Sequence, residues 1–177
     1  MNRAAAQYRG SYLAAGRGFT LVEILIVVVI IGILATIVIP QFSNAAHEAR
    51  ENTLKDDLRY LRTQLAVYKA QHRDVAPGYP GGDSSQPPTV EEFTKQMTGY
   101  TSEYSSVSDT YDSTHRFGPY LSKIPMNPLN GRSDVIISTA EPVVPDDSSG
   151  WIYNPRTLNV YANLTGTDKN GTPYKDY

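Results

Sequence analysis

The sequence predicts an α+β fold in which one long N-terminal helix packs against a small antiparallel β-sheet. Two observations predict the helix: an apolar run over residues 19–39, and a later row of leucines at helical spacing. A third predicts the sheet, because short segments rich in β-branched and aromatic residues occur only after residue 116. We therefore expect a membrane-length helix near the N-terminus and a small globular domain after it.

Within residues 19–39, Glu23 is the only charged residue, and the run is long enough to cross the core of a bilayer. After Pro40 a helix-compatible pattern continues to about residue 72 with no further Gly or Pro. Five residues of this second part are spaced to share one face of a helix, and we call them the leucine stripe: Leu54, Leu58, Leu61, Leu65 and Tyr68. We predict a single helix over 19–72 that is kinked at Pro40, because proline removes a backbone hydrogen bond.

The rest of the chain, residues 73–177, predicts a globular head domain. Residues 77–88 are rich in Pro and Gly and predict a surface loop. A short helix should follow, with Thr89 and Glu92 as its capping box and Gly99 as a left-handed C-terminal stop.

Residues 100–116 are polar and predict an irregular loop. Three short strands are expected after it, at Val135–Ile137, Trp151–Tyr153 and Leu158–Ala162. Asn154-Pro155 should connect the last two as a hairpin. Trp151 is expected to anchor the core.

The charges of the chain are unevenly distributed around its formal net charge of −2. Arg3, Arg9 and Arg17 precede the apolar run without any acidic neighbour, and by the positive-inside rule they place residues 1–18 in the cytoplasm. Without them, 13 basic residues remain against 18 acidic ones, a net charge of −5. This balance gives no reason to expect a nucleic acid partner. The exported part contains no cysteine and therefore no disulfide.

The most specific pattern is Arg17-Gly18-Phe19-Thr20-Leu21-Val22-Glu23, followed by the rest of the apolar run and Pro40. It resembles the prepilin-type signal of type IV pilins and type II secretion pseudopilins. The resemblance implies a pilin-like fold, cleavage by a prepilin peptidase between Gly18 and Phe19, and N-methylation of Phe19. It also implies that the mature helices polymerise into a filament.

Glu23 places a carboxylate inside the apolar run, which costs about 3 kcal/mol on membrane-insertion scales. The new amine of Phe19 is a suitable partner, because in a staggered bundle the Glu23 of one chain can meet the Phe19 amine of its neighbour. Such a pair would favour assembly and set its register. The alternatives are an uncleaved single-span anchor and a secretory signal cut near residues 43–45. Neither explains an acid four residues after Phe19, and the run exceeds the usual h-region of about 7–15 residues.

A second segment, residues 118–131, reads Gly-Pro-Tyr-Leu-Ser-Lys-Ile-Pro-Met-Asn-Pro-Leu-Asn-Gly. It resembles a segment of the major pseudopilins of type II secretion systems, and its Tyr120, Leu121 and Ile124 should dock on the leucine stripe. Since major pseudopilins often bind calcium in a C-terminal loop, the resemblance makes calcium a possible cofactor. The candidate oxygen ligands are Asp168, Asn170 and Asp176.

Catalysis is not indicated by the titratable residues. His47, His72 and His115 lie far apart in the sequence without metal-ligand spacing and are predicted at the surface. The acidic pairs are adjacent in sequence, which predicts solvated faces rather than opposed catalytic carboxylates. Glu51 and Lys55 are expected to pair on the exposed side of the long helix.

The predicted organisation is a removed cytoplasmic leader (1–18), a transmembrane and filament-core segment (19–39), an amphipathic half-helix (40–72) and the head (73–177). The predicted function is structural, as the major pseudopilin of a type II secretion system. The expected partners are copies of the chain, a prepilin peptidase, an inner-membrane assembly platform and minor pseudopilins. The expected location is the inner membrane, in a single pass, with the head periplasmic or extracellular. A type IV pilin and a monomeric membrane-anchored binding module are the alternatives.

Overall fold

The computed structural model describes residues 18–177, so the predicted leader lies outside the described residues except for Gly18. It contains two α-helices, five short strands and two 3-10 turns. In chain order these are α1 (Leu21–Gln71), a 3-10 turn (Pro80–Gly82), α2 (Val90–Thr98), β1 (Tyr100–Thr101), β2 (Val107–Ser108), β3 (Val135–Ile137), β4 (Trp151–Asn154), β5 (Asn159–Ala162) and a 3-10 turn (Tyr174–Asp176). The chain divides into two compact units between Asn44 and Ala45, and α1 belongs to both.

The predicted long helix is confirmed as α1, which is assigned without interruption across Pro40. A kink at Pro40 stays a prediction. The helix ends without a glycine: Arg73 and Asp74 both adopt left-handed backbone conformations, with φ of 55° and 65°. The Asp74 N–H donates to the Lys69 carbonyl over 3.2 Å, which satisfies one carbonyl of the last helical turn.

The leucine stripe forms the centre of the head-domain core, as predicted. All five of its side chains are at most 3% exposed. They belong to one cluster with Phe93, Met97, Trp151 and Tyr153. Burying a large apolar side chain stabilises a protein by about 1.5–3 kcal/mol. The second half of α1 is therefore held mainly by packing, with helix propensity a smaller contribution.

The segment over residues 118–131 docks as the sequence predicts. Tyr120 and Leu121 lie in the same core cluster as the leucine stripe, and Ile124 packs against it. The Tyr120 hydroxyl donates to Gln71 Oε1 over 2.6 Å. Trp151 is 1% exposed, and its indole N–H donates to the Pro125 carbonyl over 2.8 Å, which confirms its role as a core anchor.

One half of the predicted capping box of α2 is confirmed, whereas the other half and the predicted stop are wrong. The Thr89 N–H donates to the Gly78 carbonyl over 2.9 Å and not to the Glu92 side chain. The Glu92 N–H donates to Thr89 Oγ1 over 3.2 Å. Gly99 is not left-handed; its backbone is extended, with φ −107° and ψ 179°. Its lack of a side chain serves close packing, because a Cβ there would lie 2.9 Å from Cγ1 of Val107 in β2.

The predicted irregular loop over residues 100–116 is also wrong in part, since β1 and β2 pair as a two-stranded antiparallel hairpin. Thr101 is fully buried and additionally exchanges backbone hydrogen bonds of 2.8 and 3.1 Å with Phe117. Strands of two residues are too short to show an alternating pattern, so no periodic signal predicts them.

The three predicted strands form one sheet in the order β3-β4-β5. The β4–β5 hairpin is antiparallel, as expected, with Asn154 opposite Asn159. The prediction of an antiparallel sheet is wrong for β3 and β4, which are parallel with Val135 beside Trp151. Parallel neighbours need a crossover of about a dozen residues or more, and residues 138–150 provide it.

Candidate processing and assembly site

The predicted scissile bond lies just before α1. Residues 18–20 are in no helix or strand, and Phe19 is 77% exposed. A Cβ built on Gly18 would meet no atom within 4 Å. The packing of the described chain therefore places no demand on glycine at this position. A requirement for glycine would have to come from a peptidase that holds this segment.

Glu23 closes a capping box with Thr20 at the start of α1. The Thr20 N–H and hydroxyl lie 3.3 and 3.4 Å from Glu23 Oε2, and the Glu23 N–H donates to Thr20 Oγ1 over 3.2 Å. Sequence reasoning treated Glu23 only as a partner for an amine and missed this second role. The signal was present, because Thr-x-x-Glu before an apolar run is the sequence pattern of the motif.

The apolar run forms an exposed helical surface. Its large side chains between Leu21 and Ile39 are 43–83% exposed. The helix is long and apolar enough to cross a membrane. An apolar surface of this extent indicates contact with lipid or with other subunits.

The three candidate metal ligands lie in and after the C-terminal turn of the head domain. The Asp168 carboxylate is engaged by its own loop: Oδ1 accepts from the N–H groups of Asn170 and Thr172 over 2.8 and 2.9 Å, and Oδ2 accepts from the Tyr177 hydroxyl over 2.9 Å. These bonds lower the pKa of Asp168. Asp176 lies in the following 3-10 turn. Among residues 18–177, no three His, Asp or Glu side chains group together as a metal site, and calcium binding stays a prediction.

Two polar residues continue the leucine stripe into the core, and the predictions for both are wrong. Glu51 is 4% exposed and accepts from the Tyr174 hydroxyl over 2.9 Å, instead of pairing with Lys55 at the surface. His72 is 1% exposed, whereas a surface histidine was expected. Glu51 lies three residues before Leu54, and His72 lies four residues after Tyr68. This helical spacing places both on the same face as the leucine stripe and was the missed signal.

His72 is held as a neutral imidazole between two neighbours. Its Nδ1 lies 2.7 Å from the Tyr68 carbonyl, which can only accept, so Nδ1 carries the proton. Nε2 lies 2.8 Å from Thr101 Oγ1. The ring stacks on Tyr68 with 3.8 Å between centroids. Burial lowers the pKa of His72, partly opposed by its backbone hydrogen bonds.

The buried imidazole makes the head domain sensitive to mild acid. Below about pH 6.5 the unfolded chain takes up a proton at His72 that the folded chain resists, so stability present above that pH is lost as the pH falls. We expect the melting temperature to drop by a few degrees between pH 7 and pH 5. His72→Gln should melt lower at pH 7 but lose most of this pH dependence.

Thermal unfolding followed by tryptophan fluorescence measures this effect, with His47→Gln as the control. His47 is exposed, and its Nε2 lies 3.3 Å from Glu51 Oε1. Because its variant leaves the buried imidazole of His72 in place, it should keep the drop seen in the parent chain. An equal drop in His72→Gln and the parent would contradict the assignment.

Known proteins resemble this chain at its N-terminal segment and over longer alignments. Residues 14–39 match a family model described as the prokaryotic N-terminal methylation motif. Over 111 residues the chain is 32% identical to type II secretion system core protein G of Pseudomonas aeruginosa, an alignment that covers 63% of this chain and 66% of that protein. The corresponding protein of Klebsiella michiganensis is 26% identical over 156 residues, which cover 86% of this chain and 96% of the relative. No solved structure matches the chain.

The chain therefore carries the N-terminal methylation motif of the pilin-like class. Its similarity is to the proteins named type II secretion system core protein G. The chain spans slightly less than two thirds of the P. aeruginosa relative, at 66% of its length. The resemblance predicted from the N-terminal motif is confirmed.

Proposed function

We propose that the chain is the major pseudopilin of a type II secretion system, a structural subunit whose polymerisation builds an envelope filament. The observation that carries the proposal is an exposed apolar helix that begins with the methylation motif and holds one carboxylate, Glu23. A bundle of such helices covers this surface. The head domain is then displayed around the bundle and performs no catalysis.

Processing comes first in this scheme. The prepilin peptidase cuts between Gly18 and Phe19, an exposed segment outside any helix, and methylates the new amine. That amine lies at the N-terminus of α1 beside the capping box of Thr20 and Glu23. When subunits stagger, the Glu23 carboxylate leaves its own cap and pairs with the Phe19 amine of a neighbouring copy.

The leader and the apolar half of α1 also determine the proposed location and partners of the subunit. The leader arginines keep the N-terminus in the cytoplasm, and the apolar half of α1 anchors the subunit in the inner membrane in a single pass. The head is then periplasmic, or extracellular after assembly. The partners are other copies of the chain, the prepilin peptidase, the inner-membrane assembly platform and the minor pseudopilins that begin the filament.

Mass spectrometry of the membrane-purified protein tests this proposal. We expect a mature chain that starts at Phe19 and carries one methyl group on its amine. Gly18→Leu should block cleavage and leave the full-length chain, without affecting the head, because the site is open in the folded subunit. A native chain that retains residues 1–18, or starts elsewhere, would refute the proposal.

A type IV pilin for adhesion, motility or DNA uptake is the second candidate. The prepilin-type motif is equally compatible with a type IV pilin, whereas the similarity to core protein G favours the secretion pseudopilus. A monomeric membrane-anchored binding module is the third. Cross-linking in membranes separates it from both filament functions, which require a ladder of subunit multimers.

A further inference from the structure

The head domain contains two Asn-x-Thr triplets, the acceptor pattern for N-linked glycosylation of exported proteins. They are Asn163-Leu164-Thr165 and Asn170-Gly171-Thr172. The two asparagines lie seven positions apart, but one is buried and the other is exposed. The structure therefore decides which of them an enzyme can reach.

Asn163 is unavailable in the folded domain. Its side chain is fully buried. Its Nδ2 donates to Asp146 Oδ1 over 2.7 Å and to Ser149 Oγ over 2.8 Å, and its Oδ1 accepts from the Asp146 N–H over 2.8 Å. A glycan on Nδ2 would break these bonds and would have no space.

Asn170 lies at the tip of a tight hairpin turn and is exposed. The turn is closed by the Gly171 N–H, which donates to the Asp168 carbonyl over 3.0 Å, and by the Asp168 N–H, which donates to the Thr172 carbonyl over 2.9 Å. Asp168 also accepts from the backbone N–H groups of Asn170 and Thr172. The backbone N–H groups of residues 170–172 thus all donate hydrogen bonds within the turn. Within residues 18–177 the side chains of Asn170 and Thr172 make no hydrogen bond.

We propose that Asn170 is an acceptor for an N-linked oligosaccharide, with Thr172 as the hydroxyl residue that orients its amide in the transferase. The donor is a lipid-pyrophosphate-linked oligosaccharide. Nδ2 of Asn170 attacks C1 of the first sugar, a C–N bond forms, and the C1–O bond to the pyrophosphate breaks. The lipid pyrophosphate leaves with the electron pair and the amide loses one proton, so neither oxidant nor reductant is needed.

Access of an oligosaccharyltransferase to Asn170 in the cell rests on the proposed export of the head domain. The turn that carries Asn170 has the properties that this access requires. It is distant in sequence from the apolar run, and its exposed tip presents the acceptor asparagine followed by glycine. A glycan here extends into solvent, whereas Asp168, the residue whose carboxylate shapes the turn, is only 8% exposed.

The test is transfer in vitro to the purified full chain in detergent, with a purified bacterial oligosaccharyltransferase, its lipid-linked oligosaccharide and a known acceptor peptide as positive control. Peptide mass spectrometry should find one glycan mass added at Asn170 and none at Asn163. Thr172→Ser should keep the modification, because it keeps the hydroxyl, whereas Thr172→Val and Asn170→Gln should lose it.

Three results would overturn the proposal: an unmodified Asn170 peptide beside a glycosylated control peptide, equal transfer to Thr172→Val, or transfer to Asn163 instead. Because the reaction needs neither membrane topology nor filament assembly, its failure is distinct from failure of the proposed secretion function.

Discussion

Glu23→Gln is expected to leave cleavage and methylation intact and to abolish regular filaments. Glutamine can replace glutamate in a capping box, since its side-chain carbonyl accepts from the same Thr20 N–H. The start of α1 should therefore persist in this variant. The negative charge is lost, and with it the counter-charge for the Phe19 amine of the neighbouring subunit.

The expected effect is large because the pair would lie in the apolar interior of the bundle. Removing one partner of a buried ion pair costs about 3–5 kcal/mol, as the remaining charge is left without compensation. Each subunit added to a filament would carry this cost. A difference of that size is more than a hundredfold in each association step, so assembly should fail or lose its register.

Thr20→Val is the matched control. It removes the hydroxyl that accepts from the Glu23 N–H over 3.2 Å but keeps the carboxylate. Loss of an N-cap costs about 1 kcal/mol, which the rest of a long helix tolerates. We expect filaments from Thr20→Val and none from Glu23→Gln, by electron microscopy and by cross-linking. Normal filaments from Glu23→Gln would show that the charge pair does not direct assembly.

The long helix and its two faces could be predicted because their signals are local. The apolar run and the leucine stripe depend only on residue type and on a period of 3.6 residues. The strands β3, β4 and β5 were found for the same reason. At the processing site, the motif residues Gly18, Phe19 and Glu23 could be identified because they are adjacent in sequence.

The errors concern residues whose environment is set by distant parts of the chain. Glu51 and His72 follow the stripe, but their burial depends on Tyr174 and Thr101, far away in sequence, which supply the hydrogen bonds that a buried polar group requires. The parallel direction of β3 beside β4 depends on the path of residues 138–150, which carries no periodic signal. Gly99 matches a helix stop in sequence, but its role is set by contact with Val107.

Gly150→Ala is expected to destabilise the head domain strongly. Gly150 precedes β4, where the crossover from β3 returns to the sheet. A Cβ at this position would overlap with the Arg132 carbonyl oxygen and lie 3.3 Å from that of Asp134, and both are backbone atoms that cannot rotate away. Both backbone groups of Gly150 are hydrogen-bonded. Its N–H donates to the Asp134 carbonyl over 3.0 Å, and its own carbonyl accepts from Asn127 Nδ2 over 2.9 Å.

To relieve the clash, the backbone just before β4 has to move. This movement breaks the two hydrogen bonds of Gly150 and displaces Trp151. We expect a loss of about 3 kcal/mol or more in the free energy of unfolding and a fall in melting temperature of about 10 °C. Gly131→Ala is the control, because its Cβ would meet nothing within 4 Å and only its positive φ of 71° is strained. That strain costs about 1–2 kcal/mol. Trp151, the single tryptophan, reports unfolding of both variants by fluorescence. A melting temperature of Gly150→Ala equal to or above that of Gly131→Ala would contradict the expected clash at Gly150.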